Sequence, residues 1–310
     1  MTPGDADAPG QSRTQLIAAF AAVYVVWGST YLAIRYGVES IPPFALAATR
    51  FLISGALLFT WARWRGSASP TRRQWRDAAI AGVFMLTGGN GAVVWAEQRV
   101  PSGVAALLAA TVPLWMVLID WLRPRGRRPT GAVLAGVLIG LCGLVLLVWQ
   151  PAGNGSSAAV DALGATVLVL GSLMWALGSV YNRYGDRPGS AAMATAMQMF
   201  GGGTALLILA LGTGEIAHFS IAQVTRASAI GWLYLVVFGS LVGFTAYIYL
   251  LRATTPAKAS TYAYVNPLVA VVLGWAIASE PITWRTIVAA AVILVGVALI
   301  TIGQPEAPTP

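Results

Sequence analysis

Ten apolar runs separated by short polar connections take up nearly the whole chain. They cover residues 16–33, 44–61, 78–95, 103–121, 132–149, 162–181, 191–211, 229–250, 257–277 and 286–302. Most are about 18 to 21 residues long, enough for a helix to cross a hydrocarbon core of about 30 Å. The pattern therefore predicts an all-α membrane protein of ten transmembrane helices. No connection is long enough to hold a soluble domain. Residues 1–15 are polar and lack the basic start of a cleaved signal peptide, so they read as a cytoplasmic tail, with residues 304–310 as a short C-terminal tail.

The fourth run is written twice. Sliding Ser102–Trp121 by 154 positions onto Pro256–Trp275 gives six identities in twenty positions. Five of them, Ala105, Ala109, Pro113, Val117 and Trp121 over Ala259, Ala263, Pro267, Val271 and Trp275, recur every four residues. That spacing is one stripe of one helix. Small residues let backbones approach, and a proline within the run removes a donor, so Pro113 and Pro267 are expected helix breaks. The echo continues elsewhere, with Gly28-Ser29-Thr30-Tyr31 over Gly178-Ser179-Val180-Tyr181. The chain divides into a first repeat at 16–150 and a second at 160–303, each of five helices. An odd number of spans sets the second copy upside down relative to the first. Inverted repeats build secondary transporters, with the solute site near the midplane between the copies.

Composition agrees with this reading: 57% of residues are hydrophobic and 10% charged, too few charges to cover a soluble globule of 310 residues. The net charge of +8 comes from arginines dispersed between apolar runs, which argues against a nucleic-acid surface. With the N-terminus in the cytoplasm, fourteen Lys and Arg lie on the inner connections and four (Arg35, Arg99, Arg226, Arg285) on the outer ones. Both termini then face the cytoplasm. A single cysteine, Cys142, gives no disulfide framework and no cysteine-based metal site, the single histidine, His218, lies in a connecting segment, and no metal or cofactor is expected.

The order of ten spans, the stretch WGSTYLAIRYGVES from Trp27 to Ser40, Ala-Thr-Arg-Phe in the second span, and the paired VPL and NPL prolines resemble the drug/metabolite transporter superfamily. Within it the chain is most similar to the EamA-type drug/metabolite exporters of bacterial inner membranes. The resemblance implies a bundle of two inverted five-helix halves around a central cavity. It also implies export of small metabolites, amino acids or drugs across the inner membrane, as a monomer or a homodimer.

Candidate chemistry is the polarity that apolar spans do not need. Arg50 lies deep in the second span, where a charge requires water or a partner. Its counterpart in the second repeat is Met199, and that of Glu97, at the outer end of the third span, is Leu250. Confined to one half, Arg50 and Glu97 read either as an ion pair closing the outer side or as groups that meet solute or protons. Tyr262 and Asn266 share a face of the ninth span, with Tyr264 beside them, where the first repeat has Leu108, Val112 and Ala110. Asn266 either engages solute or repairs the backbone at Pro267. Trp27 and Trp175 lie deeper than an interfacial aromatic belt and are candidate cavity walls or gates. Asn90, within Gly88-Gly89-Asn90-Gly91, marks either local unwinding beside a cavity or close helix packing. Gly136 and Gly140 read as packing contacts, and Asp120, Asp161, Lys258 and Glu280 as interfacial charges near helix ends. An intramembrane enzyme is the alternative from another class, but no nucleophile with a base at matching depth stands in the spans. A channel or receptor leaves the inverted duplication without a purpose.

Overall fold

A computed structural model describes residues 13–122, 129–148, 161–217, 219–253 and 262–303. Among them the chain is helical throughout, with no strand. The elements are α1 (Arg13–Gly37), α2 (Pro43–Trp64), α3 (Arg72–Ala96) and a two-part α4 (Ser102–Ala109 and Val112–Leu122). They continue with α5 (Gly131–Val148), α6 (Ala162–Tyr184) and α7 (Ala191–Gly212). A three-part α8 follows (Arg226–Tyr234, Leu235–Val242, Gly243–Ala253), then α9 (Tyr262–Ala278) and α10 (Trp284–Gly303). Seven helices, in α1 to α4 and α6 to α8, are long and apolar enough to cross a membrane, and α5, α9 and α10 contain shorter apolar stretches. His218, Lys258 and the side chains of Asp120 and Tyr264 lie outside the described residues.

Helix starts follow local chemistry. Thr71 and Gln74 form a reciprocal capping box at the start of α3, and Asp161 accepts from the Gly164 N–H at 2.6 Å before α6. Asp161 is thus a helix cap, and Ser190 and Thr225 do the same for α7 and α8. Three stretches are π-helical: Val23–Trp27 in α1, Val83–Asn90 in α3 and Leu235–Val242 in α8. Each widens the helix locally and frees carbonyls from the usual ladder, a feature that concentrates at functional sites.

The packing has an internal order. The contacts α2–α7, α5–α10 and α4–α9 each join a helix to its counterpart five places on. The remaining large contacts come in matched pairs: α3 on α6 as α8 on α1, α6 on α4 as α1 on α9, and α7 on α3 as α2 on α8. Exchanging every helix for its counterpart returns the same set. Glycine permits the tightest of these contacts. A Cβ on Gly296 of α10 would lie 2.6 Å from the Gly140 nitrogen and 2.7 Å from the Gly136 carbonyl oxygen of α5, the close approach expected of small-residue faces in lipid. Outward surfaces are apolar, with Leu138, Ile230 and Trp275 all exposed.

Pro113 and Pro267 behave differently. α4 does break, at the turn Ala110–Thr111, and Pro113 sits in the first turn of the second segment, where its missing N–H costs nothing. The Leu108 carbonyl left at the break is taken up by the Thr111 hydroxyl at 2.7 Å and the Ser172 hydroxyl at 3.3 Å. α9 instead runs unbroken through Pro267. The expected break there is corrected: the described helix continues to Ala278 with Pro267 inside it, the proline removing one backbone donor without ending the helix.

Candidate functional site

A cavity of about 150 Å³ opens where the two sets of helices meet. A single water needs about a tenth of that space, so a small organic molecule fits. Trp27, Arg50, Asn90, Trp175, Tyr262 and Asn266 all line it, together with Pro113 and Pro267. Residues more than two hundred positions apart are therefore brought to one surface, contributed by α1 to α4, α6, α8 and α9.

One wall is a cluster of aromatic rings. The Trp27 indole lies 5.2 Å from Phe244, 5.0 Å from Tyr247 and 5.1 Å from Tyr262, centroid to centroid, and the Tyr247 and Tyr262 rings meet edge to face at 5.6 Å. The Trp27 Nε1–H donates to the Gly239 carbonyl at 3.1 Å, joining the π-helical parts of α1 and α8. Phe244 and Tyr247 were not expected. Their spacing of three along an apolar run was the available signal, masked by the general abundance of aromatics near span ends. On the opposite side Trp175 packs over Gly89, whose added Cβ would lie 2.9 Å from the indole. Along this glycine-rich stretch α3 is π-helical and packs closely against α6.

Polar groups on the cavity are few and buried. Asn90 has its Oδ1 buried without a hydrogen-bond partner. Asn266 is 7% exposed. With its amide nitrogen turned toward them, it donates to the carbonyls of Tyr24 at 3.2 Å and Tyr262 at 3.3 Å, tying α9 to the π-helical part of α1. Arg50 is 3% exposed. Its Nε donates to the Ser240 hydroxyl at 2.9 Å, its guanidinium lies 4.8 Å from the Phe51 ring centroid, and its Nη1 is buried without a partner.

Glu97 is elsewhere. It does not line the cavity and forms no ion pair with Arg50, so the pairing of these two across the outer side is corrected. Arg50 turns instead to the hydroxyl and ring that α8 and its own helix place beside it. Glu97 is 3% exposed with both carboxyl oxygens unpartnered, close enough to Glu280 and Arg35 for their charges to interact. Glu280 is not an interfacial charge either. It is 7% exposed, pairs with Arg35 at 3.3 Å, and accepts the Ser102 and Gly103 N–H groups at 2.9 and 3.2 Å. It caps the start of α4 and satisfies donors that no residue of α4 itself reaches. Ser279, at φ 52°, makes the turn that delivers it. Glu215 does the same for α2, accepting from Phe44 and Ala45 at 3.0 and 3.1 Å. Burial raises the Glu215 carboxyl above its ordinary value, and those two N–H groups oppose the shift. Among the described residues no cluster of three His, Cys, Asp or Glu could hold a metal ion.

Comparison with known proteins agrees in extent with this architecture. The chain is 39% identical over 290 residues to the uncharacterized inner membrane transporter YedA of Escherichia coli, covering 93% of this chain and 91% of that protein. It is 28% identical over 259 residues to protein PecM of Dickeya dadantii, covering 81% and 80%. A crystal structure with 21% sequence identity superposes with a TM-score of 0.63 over 94% of this chain and 99% of that one, a likeness of fold alone. The EamA-like transporter family matches at residues 14–149 and again at 162–302. The chain belongs to the EamA-like transporter family.

Proposed function

We propose that this protein is a secondary transporter of the bacterial inner membrane that exports small organic metabolites, amino acids or drugs by alternating access. In this reading ten helices cross the bilayer as two inverted five-helix repeats, with both termini cytoplasmic. Solute enters between the halves, contacts Trp27, Tyr262, Asn266, Asn90 and Trp175, and leaves after the halves rock about the cavity.

The observation that carries the reading is the packing order: every large contact either joins counterparts or has a matched contact, and the cavity lies where the two sets meet. Such an arrangement can exchange one asymmetric state for its mirror without new kinds of contact, which is what inverted repeats provide. The inner-membrane location is supported by the name of the Escherichia coli relative and by the apolar spans. Export follows the resemblance to the exporter family. The break of α4 beside the cavity gives a point at which a gate can bend.

Glu97 is the coupling candidate. A buried carboxyl with no hydrogen-bond partner, beside an ion pair, is far easier to keep neutral than charged. Proton release would then accompany any movement that admits water to it. Glu97→Gln is expected to abolish uptake driven by a pH gradient in inverted vesicles while sparing solute exchange. Undiminished gradient-driven uptake removes Glu97 from the mechanism.

The carrier reading is tested by counterflow in proteoliposomes preloaded with candidate metabolites. Exchange that saturates with substrate is the expected outcome. Continuous non-saturating flux would indicate a pore, and chemical conversion of the solute an enzyme.

A further inference from the structure

We infer that the cavity binds an organic monoanion, with its acid group on Arg50 and its apolar body against the aromatic wall. The inference rests on the transporter reading for its purpose but on geometry for its chemistry. Among the described residues that line the cavity, Arg50 alone carries a formal charge. No carboxylate faces it there, and Glu97, the acid closest in expectation, stands outside the cavity.

A guanidinium has five N–H donors in a rigid plane. At Arg50 one bond goes to Ser240, a ring face lies beside the cation, and Nη1 is buried with nothing to donate to. An uncompensated charge 3% exposed in a membrane-spanning helix is costly to hold. The residue at the matching place in the other half, Met199, fills a comparable buried position with no charge. The bundle can therefore be packed without an arginine, and the cost is offset when a ligand brings one negative charge. A carboxylate suits the planar donor set and can take two bonds from it. A dianion such as a phosphate ester would exchange one net charge for the opposite one, which makes a monoanion the better match. The cage of Trp27, Phe244, Tyr247 and Tyr262 offers ring faces and edges to the remainder of the molecule.

The purified full-length protein can be titrated with benzoate, benzamide and benzylammonium, and with hexanoate, hexanamide and hexylammonium. Binding is read from tryptophan fluorescence, since Trp27 and Trp175 both line the cavity, and from thermal stability. At least one acid is expected to bind about tenfold or more tightly than its amide and its amine. Arg50→Met should erase that preference, and Arg50→Lys should keep part of it. Acids binding no better than their amides or amines, or acid binding unchanged in Arg50→Met, overturns the inference. Should Arg50→Met fail to fold, the comparison within the unaltered protein decides alone. Acid-selective binding without counterflow of any solute would contradict the transporter reading while leaving the anion site in place.

Discussion

The two halves of this chain share a frame and differ in chemistry. α3 and α8 each carry an eight-residue π-helical stretch, Val83–Asn90 and Leu235–Val242, at corresponding places. α5 and α10 lock together through glycines from both. Against that common backbone, Arg50 stands where the other half has Met199, Glu97 where it has Leu250, and Tyr262 and Asn266 where it has Leu108 and Val112. Even the proline-bearing helices part ways, α4 breaking at Ala110–Thr111 while α9 continues through Pro267. Packing demands are met twice over by the same pattern, whereas polarity appears once. A group that one copy dispenses with is not required by the frame, so it is the place to look for the task.

Substitutions that attack the shared frame should have the largest effect. Gly296→Leu drives a side chain into the Gly136 and Gly140 backbone. It is expected to cost about 3 kcal/mol or more and to lower the yield of monodisperse protein in detergent sharply. A variant as stable as the parent would show that α5 and α10 do not depend on this contact. Removing the chemistry one half lacks should instead spare the frame. Tyr262→Leu, which installs the counterpart residue, is expected to reduce saturable exchange about five- to thirtyfold, since a lost aromatic or hydrogen-bonded contact is worth about 1 to 2 kcal/mol. Melting temperature should fall slightly through the lost ring contacts with Trp27 and Tyr247, well short of the Gly296→Leu effect, and normal exchange would remove Tyr262 from the site.

Asn266→Val, also a counterpart swap, has an intermediate expectation. It removes the amide between the Tyr24 and Tyr262 carbonyls, and interhelical hydrogen bonds in membranes are worth about 0.6 to 1.7 kcal/mol. Stability and exchange should therefore both fall, and a loss of exchange alone would assign Asn266 to solute only. The smallest effect concerns Glu215. Burial holds its carboxyl above the ordinary value of 4.5 in the folded protein. The folded state then keeps its proton more tightly than the unfolded state, so this group's contribution to stability is present below the unfolded value and is lost as pH rises through the folded one. Glu215→Gln should flatten the fall in thermal stability as pH rises above that ordinary value. An unchanged slope would show that Glu215 does not contribute to it.

Much of this was legible in residue pattern. Uninterrupted apolar runs announce helices because the bilayer admits little else, and polar or aromatic residues deep within them, Trp27, Asn90, Trp175 and Asn266, stand out against hydrocarbon. All four line the cavity. What stayed hidden was partnership over long separations. Arg50 meets Ser240, 190 residues away, and nothing local to either announces it. Glu280 lies at a helix end in sequence, which reads as interfacial, yet the helix it serves is α4, 178 residues earlier. Phe244 and Tyr247 look like ordinary interfacial aromatics until α8 is placed against α1. The π-helical stretches leave little local mark, since Leu235–Val242 is an apolar run like its neighbours.

The opposed insertion of the two copies is the premise on which alternating access depends. Replacing Cys142 by alanine leaves a cysteine-free chain, into which single cysteines can be placed at Gln98 and, in a second variant, at Thr255, just before the repeated segments. Labelling of intact cells with a membrane-impermeant maleimide should modify the first from outside and reach the second only after the membrane is opened. Modification of both from the same side would contradict the account.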